Sequence, residues 1–320
     1  MAQRLIDRRT FGLLAGAGVA CAPAASAGFI ENAPASRLTP LANQPYVPPT
    51  SLSTVADMYS RMTAPVRIAD SGPFAFVVDT GANHSVIARE LAAKLGLALG
   101  PDVEINGAAG VRAAPSAQTT LKLGARSTVK VAFAVLPQAD IGGLGMLGLD
   151  TVEHQVVTLD FRGQTLRVEP PGRLWRDPNE IDMKATRRDG QLTLVDADLA
   201  GIRITAFLDS GAQNTIGNIA LRDLALKRRP DTSRTGTVIF SATGQTIDAE
   251  IADLPHLRVG GLKLPNWPVA FADLYTFKLW NLIDRPAILL GVDVLSRFET
   301  VCLDFSRDEV RFRLPRSGWS

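Results

Sequence analysis

Short apolar runs, many alternating with polar positions and bounded by Gly or Pro, recur along this chain from Pro65 onward, and no long uniformly apolar helix interrupts them. That pattern predicts many short strands joined by turns. Pro65-Val66-Arg67-Ile68 forms one arm of a hairpin, Ser71-Gly72-Pro73 its turn, and Phe74 to Val78 the apolar arm that delivers Asp79. Val86-Ile87 gives a strand end, and residues 89–95 a short amphipathic helix with Gly96 as its C-cap. Residues 103–112 predict a second hairpin with the tip Gly107-Ala108-Ala109-Gly110. A strand pair at 119–123 and 129–135 leads to Met146-Leu147-Gly148-Leu149-Asp150, and Leu159-Asp160-Phe161 precedes a last strand.

The same order then returns. Phe76-Val77-Val78-Asp79-Thr80-Gly81-Ala82 reappears as Ala206-Phe207-Leu208-Asp209-Ser210-Gly211-Ala212. Thr215-Ile216, a helix at 219–226, a hairpin at 238–247 with the tip Ser241-Ala242-Thr243-Gly244, and a strand pair at 254–259 and 269–272 follow. Leu289-Leu290-Gly291-Val292-Asp293 and Leu303-Asp304-Phe305 close the second series. The Asp positions 79 and 209 lie 130 apart, Gly148 and Gly291 lie 143 apart, and Leu159 and Leu303 lie 144 apart. The register therefore holds except for about 13 extra residues, which is the mark of a duplicated lobe. Lobe 1 is expected over 58–170 and lobe 2 over 183–316, with a Pro-rich linker at 171–182. Part of the extra length falls in 273–286, where Leu274, Tyr275, Phe277, Leu279, Trp280 and Leu282 predict core packing beneath a loop, or else a pocket or partner surface.

Charge removes two classes of partner. The formal net charge of +2 comes from Arg4, Arg8 and Arg9 against Asp7, so the rest of the chain is neutral and offers no footprint for nucleic acid or an anionic membrane surface. Lys227-Arg228-Arg229 and Arg187-Arg188 read as solvated turns. Cys21 and Cys302 are the two cysteines, which rules out a disulfide scaffold, and Cys302 reads as a buried structural thiol. His84, His154 and His256 are scattered without metal-ligand spacing, so neither a metal nor a cofactor is expected.

Residues 1–27 read as an export signal: a basic start, an apolar stretch and the small-residue end Ala25-Ser26-Ala27. Arg8-Arg9-Thr10-Phe11 resembles a twin-arginine signal, although Asp7 stands where Ser or Thr is preferred. An ordinary secretory signal and a disordered cytoplasmic tail are the alternatives. The apolar stretch is too short to cross a bilayer, and Gly18-Val19-Ala20-Cys21 departs from a lipoprotein box, so neither an integral span nor anchoring at Cys21 is expected. The expected location is periplasmic or secreted. Residues 28–57, rich in Ala and Pro, read as a spacer or surface strap.

Each copy of the repeated stretch runs a buried strand into Asp, a small hydroxyl, Gly and Ala. This resembles the active-site loop of aspartic proteases. With the hairpin, the apolar-apolar-Gly element and the short helix after it, each occurring twice over about residues 60–315, the chain resembles bacterial retropepsin-like (retroviral-type) aspartic proteases with two tandem repeats. The resemblance implies an all-β acid-protease fold: two homologous β-rich lobes with short helices around a pseudo-twofold active-site cleft. It implies an aspartic-type endopeptidase, a hydrolase acting in proteolysis, with Asp79 and Asp209 as its catalytic pair. Thr80 and Ser210 would exchange hydrogen bonds across the lobes, and Gly81 and Gly211 would let backbone amides approach the carboxylates. Ala82, Asn83, His84, Ala212, Gln213 and Asn214 would line the cleft floor. The hairpin tips, Gly107, Ala108, Ala109 and Gly110 with Ser241, Ala242, Thr243 and Gly244, would close as flaps over an extended peptide.

Two carboxyls within about 3 Å cannot both ionise, so they share a proton; the ionised one can activate water while the other protonates the carbonyl oxygen. Both come from one chain, so a monomer is expected. The sequence departs from retropepsins at Asn83-His84 and Gln213-Asn214, where acidic residues are usual, which puts the subsite preference in doubt. No tyrosine occupies either tip, as on the retropepsin side of the family. Three other readings stand beside this one: a peptide-binding clamp with weak catalysis, a precursor whose 28–55 segment fills the cleft, and two ordinary Asx-turn aspartates.

Overall fold

A computed structural model of the protein describes residues 50–53, 55–56, 61–123, 127–152, 155–171, 180–188, 191–259 and 261–315. The export signal at 1–27, most of the 28–57 spacer, Cys21 and His154 lie outside the described residues. The fold below belongs to the unit Pro48–Ser320.

Strands dominate. In the first half, Met62–Ile68, Ser71–Val78, Gly145–Leu147, Val86–Ala88, Ser127–Leu136 and Gly110–Leu123 pair in that order, and the last pairs back on the first, closing a barrel-like ring. The second half repeats the order with Gln191–Leu199, Ile202–Leu208, Ala287–Leu290, Ile216–Gly217, Trp267–Phe271 and Thr246–Leu254. Here the ring closes through Leu257–Val259, which pairs with residues 197–199. Phe76 and Phe133 in one lobe, and Phe207, Phe271 and Phe277 in the other, are fully buried.

The lobes join through a six-strand stretch of sheet, in the order Thr50–Ser53, Thr165–Glu169, Val156–Asp160, Thr300–Asp304, Glu309–Arg313 and Glu180–Arg188. At its centre Thr158 faces Cys302, flanked by Val157 opposite Leu303 and Leu159 opposite Val301. Each flanking pair maps onto the other at the 144-residue offset of the Leu-Asp-Phe repeat, so a pseudo-twofold axis passes between Thr158 and Cys302. Cys302 is buried, as expected, and takes a hydrogen bond from Arg311 Nη2 at 3.0 Å.

Four local expectations change. Thr50–Ser53 and Val55–Ala56 are strands although they fall in the 28–57 spacer, and Glu180–Arg188 begins inside the 171–182 linker. Both lobes therefore gain strands ahead of residues 58 and 183. The polar run Thr50-Ser51-Leu52-Ser53 starts just after Pro49 and pairs by backbone at the end of the sheet, which requires no apolar alternation. The first hairpin turns at Ala69 and Asp70, whose φ values of 45° and 66° suit a primed two-residue turn, not at Ser71-Gly72-Pro73. Pro73 instead occupies a register shift between Val66 and Ile68, where its missing N–H is tolerated.

The predicted strand 254–259 is broken. Pro255 has no N–H and His256 lies at φ 55°, so the chain turns and Leu257–Val259 pairs with Leu262–Leu264 instead of with 269–272. Both flaps are also longer than their sequence pattern: Leu99–Gly107 pairs with Gly110–Leu123, and Thr235–Phe240 with Thr246–Leu254. The 273–286 insertion does pack as core. Leu274, Phe277, Trp280 and Leu282 are buried, and Trp280 stacks on Phe207 with ring centroids 4.1 Å apart.

Candidate active site

Asp79 and Asp209 each leave the end of a parallel pair. Ser71–Val78 lies beside Gly145–Leu147, and Ile202–Leu208 beside Ala287–Leu290. Asp79 N donates to Leu147 O and Asp209 N to Leu290 O, both at 3.0 Å, so the apolar-apolar-Gly element fixes where each strand stops. The loop then curls back on its own carboxylate. Gly81 N and Ala82 N donate to Asp79 Oδ1 at 2.8 and 3.0 Å, and Gly211 N and Ala212 N to Asp209 Oδ1 at 2.9 and 3.0 Å. One oxygen of each acid is thereby committed to backbone, leaving the other for the partner and a reactant.

The two loops interlock across the axis. Thr80 Oγ1 donates to Leu208 O at 3.0 Å and accepts from Ser210 N at 3.1 Å. Ser210 Oγ donates to Val78 O at 2.7 Å and accepts from Thr80 N at 3.1 Å. The glycines are required by the opposite acid: a Cβ on Gly81 would come within 2.5 Å of Asp209 Cγ, and one on Gly211 would collide with the Asp79 carboxyl.

This closeness sets the electrostatics. Burial raises both carboxyls above the ordinary 3.8. Asp209 rises well above its usual range, first through burial and then through the negative charge of Asp79. Burial raises Asp79 too, but the Gly81 amide, the Asp209 hydrogen bond, the Ala82 amide and the positive charge of Arg61 all pull it back. Two buried acids this close resist carrying two charges, and one proton shared between them is the arrangement that can activate water beside a protonated acid.

A family profile described as aspartyl protease matches residues 64–151 and again 195–294, the two halves that carry these loops. The chain belongs to the aspartyl protease family. It does so as two tandem repeats, which agrees with the duplicated register. No curated protein matches the sequence.

The residues after each Asp-Thr/Ser-Gly share their burial position by position although only the alanine is common to both. Ala82 and Ala212 are half-buried, and Asn83, His84, Gln213 and Asn214 are exposed. Ala82 O and Ala212 O are taken by Leu149 N and Val292 N, both at 2.9 Å, so these alanines hold the floor through backbone. His84 has a local neighbour, with Nδ1 4.0 Å from Asp150 Oδ2.

The flaps meet. Ala108 of the first and Ala212 of the floor pack on one apolar cluster that contains Phe207, Ile216 and Trp280. Ser241 and Thr243 of the second tip are buried and hydrogen-bond each other at 2.7 Å. A Cβ on Gly107 would lie 3.0 Å from Ser241 Oγ and still closer to Thr243, so these two hydroxyls face the other flap. Gly244, at φ 80°, makes the tip turn, and Gly110 pairs with Gly107 around Ala108-Ala109. A groove of about 660 Å³ opens beside the first tip, with Ala108, Ala109 and Ile247 on its wall and Asp248, Tyr275 and Lys278 around it.

Sequence reasoning missed the residues that brace these loops. Ser85 Oγ donates to Asp150 Oδ1 at 2.6 Å and accepts from Gly148 N at 2.9 Å. Thr215 Oγ1 donates to Asp293 Oδ1 at 2.7 Å and accepts from Gly291 N at 3.1 Å. Asp293 is further held by Trp267 Nε1 at 3.3 Å. The signal was present, since Asp150 and Asp293 recur at the same 143-residue offset as the glycines beside them. Arg61, buried and donating to Ile141 O at 3.2 Å, carried no such signal.

Proposed function

We propose that this protein is an aspartic endopeptidase that hydrolyses peptide bonds in an extended segment of cell-envelope proteins, using Asp79 and Asp209 as a water-activating pair. The observation that carries the reading is the close approach of two buried carboxyls, each held by two amides of its own loop and each packed against the glycine beside the other, where a Cβ would collide with it. Ionised Asp79 takes a proton from a water placed between the pair. The water oxygen adds to the peptide carbonyl carbon, while Asp209 gives its proton to the carbonyl oxygen. Collapse of the tetrahedral diol expels the amine, which takes the proton held by Asp79, while a diol hydroxyl returns its proton to Asp209, so the pair is again singly protonated. A peptide lying as a strand under the two flaps would bring successive side chains alternately to the floor residues and to the groove beside Ala108.

Both acids come from one chain, which supports action as a monomer. No described helix is long and apolar enough to cross a membrane. The envelope location rests on the basic, apolar and small-residue order of residues 1–27, and periplasmic or secreted action follows from that order.

The test is cleavage of a random peptide library by the purified chain, with and without the transition-state inhibitor pepstatin, beside Asp79→Asn. Inhibitable cleavage by the wild type alone is expected, with a bell-shaped pH profile set by the pair. Tight peptide binding without product from the wild type would sink the protease reading in favour of a clamp.

A further inference from the structure

We propose that Arg112 is a positioning residue that locks the two flaps together over the cleft, and that the second-lobe insertion acts as a catch for the first flap. The proposal rests on the protease reading above. Arg112 lies two residues past the first flap's tip, on the returning strand Gly110–Leu123. Its Nη1 donates to Asp140 Oδ2 at 2.9 Å and to the carbonyl of Thr243 in the tip of the other flap. Asp140, in the short helix Gln138–Ile141 of the first lobe, aims the guanidinium. Its carboxylate also lies against the second tip, where a Cβ on Gly244 would come within 2.6 Å of Oδ2. Arg112 and Asp140 keep 34% and 23% of their side-chain exposure, so the pair is shielded enough for a charge-assisted bond to count.

The first tip is also held from the other side. Ala108 O accepts from Tyr275 N at 2.7 Å, and Tyr275 opens the helix Tyr275–Leu279 of the insertion. The Ala108 methyl packs on the cluster that Phe277 and Trp280 of the same insertion build. This holding is one-sided. Tyr275 belongs to the length that the first half lacks, and the second-flap position matching Arg112, two residues past its tip, is Thr246. A peptide entering or leaving the cleft has to part Arg112 from Thr243 and Ala108 from Tyr275, so these contacts set how far the closed state is populated.

The experiment uses the full chain and the variants Arg112→Ala, Arg112→Lys and Asp140→Asn, all checked for an unchanged thermal midpoint. Losing one charge-assisted bond from the closed state should raise KM about tenfold in Arg112→Ala. Its kcat should stay within about twofold and its pH profile should not move, because the acids are untouched. Arg112→Lys should fall between, since an ammonium has donors enough for Asp140 and Thr243 O but sits on a stem shorter than the one that brings Nη1 to both. Unchanged KM in Arg112→Ala, or a fall in kcat with KM fixed, would overturn the proposal.

Hydrogen exchange of the tip amides 107–110 and 241–245 reads the same lock without turnover. It should quicken about tenfold in Arg112→Ala, and unchanged exchange there overturns the lock. Quickened exchange beside a wild type that cleaves nothing would leave the lock standing and overturn only the protease reading.

Discussion

Removing the hydroxyl of Thr80 tests whether the lobes are held together at the acids themselves. In Thr80→Val the side chain keeps its shape, but two bonds go: the one donated to Leu208 O and the one accepted from Ser210 N. Ser210 is fully buried, so its N–H is left without its acceptor and with no route to water. A buried donor without an acceptor costs about 1–3 kcal/mol, and the lost net hydrogen bond about 1 kcal/mol more, for a total of about 2–4 kcal/mol. Ser210→Ala should cost a similar amount, because Thr80 N and Val78 O lose their partner in the mirror-image way. All four bonds span the same two loops, so the double variant should fall short of the summed single losses by about 1 kcal/mol. Thr80→Ser keeps the hydroxyl and should cost less than about 1 kcal/mol. Urea unfolding at neutral pH, with peptide turnover measured on the same preparations, reads both stability and the spacing of the acids. If Thr80→Val and Ser210→Ala each stayed within about 0.5 kcal/mol of wild type, or added without coupling, the six-strand sheet alone would be joining the lobes and the interlock would be incidental.

Three further outcomes follow from the same geometry. Asp79→Asn and Asp209→Asn should each lower turnover by about 10²–10⁴ with the circular dichroism spectrum unchanged, since each removes one half of an acid–base pair. Asp209 is raised in the folded protein, so the stability it contributes is fully present below its ordinary 3.8 and is lost as pH rises through its folded value. Asp209→Asn should therefore match wild type in urea near pH 3 and gain on it above that, by about 1.4 kcal/mol for each pH unit by which burial lifts the group; a constant gap at every pH would refute this. Arg61→Gln removes a charge that lowers Asp79, so the acid limb of the pH–rate profile should move to higher pH, while Arg61→Lys should leave it in place.

The Asp loops were legible because a few residues encode a local geometry. A strand, an acid, a hydroxyl and a glycine define a turn whose amides return to the carboxylate, and finding it twice fixed the pseudo-symmetry. Offsets of 130, 143 and 144 then placed the flaps and the Leu-Gly elements in order. What depended on partners far along the chain could not be read. The strand at 50–53 pairs by backbone with residues 165–168, Ser85 meets Asp150 65 residues away, and Arg112 meets Thr243 131 residues away. Pro255 is a different case. Its effect on the strand is local, and the likeness of 254–259 to the first-lobe strand expected at 119–123 hid it.

A duplicated scaffold poses a chemical problem, because identical acids on a true twofold axis would have identical environments, while water activation needs one ionised and one protonated. The hydrogen bonds around the pair are nearly mirror images: each Oδ1 takes two amides, and each hydroxyl crosses to the other strand. One difference lies outside the loops. Arg61 stands just before the first lobe's strand Met62–Ile68, pinned by Ile141 O and Gly142 O, and its charge lowers Asp79. At the 130-residue offset the second lobe has Gln191, which brings no charge. The Arg61 charge, on one side of the axis, favours Asp79 as the base of the proposed pair, beside the amide hydrogen bonds that lower it more. Duplication supplies the closeness of the acids, and divergence outside the motif, at position 61 against 191, is where the proposed pair departs from symmetry.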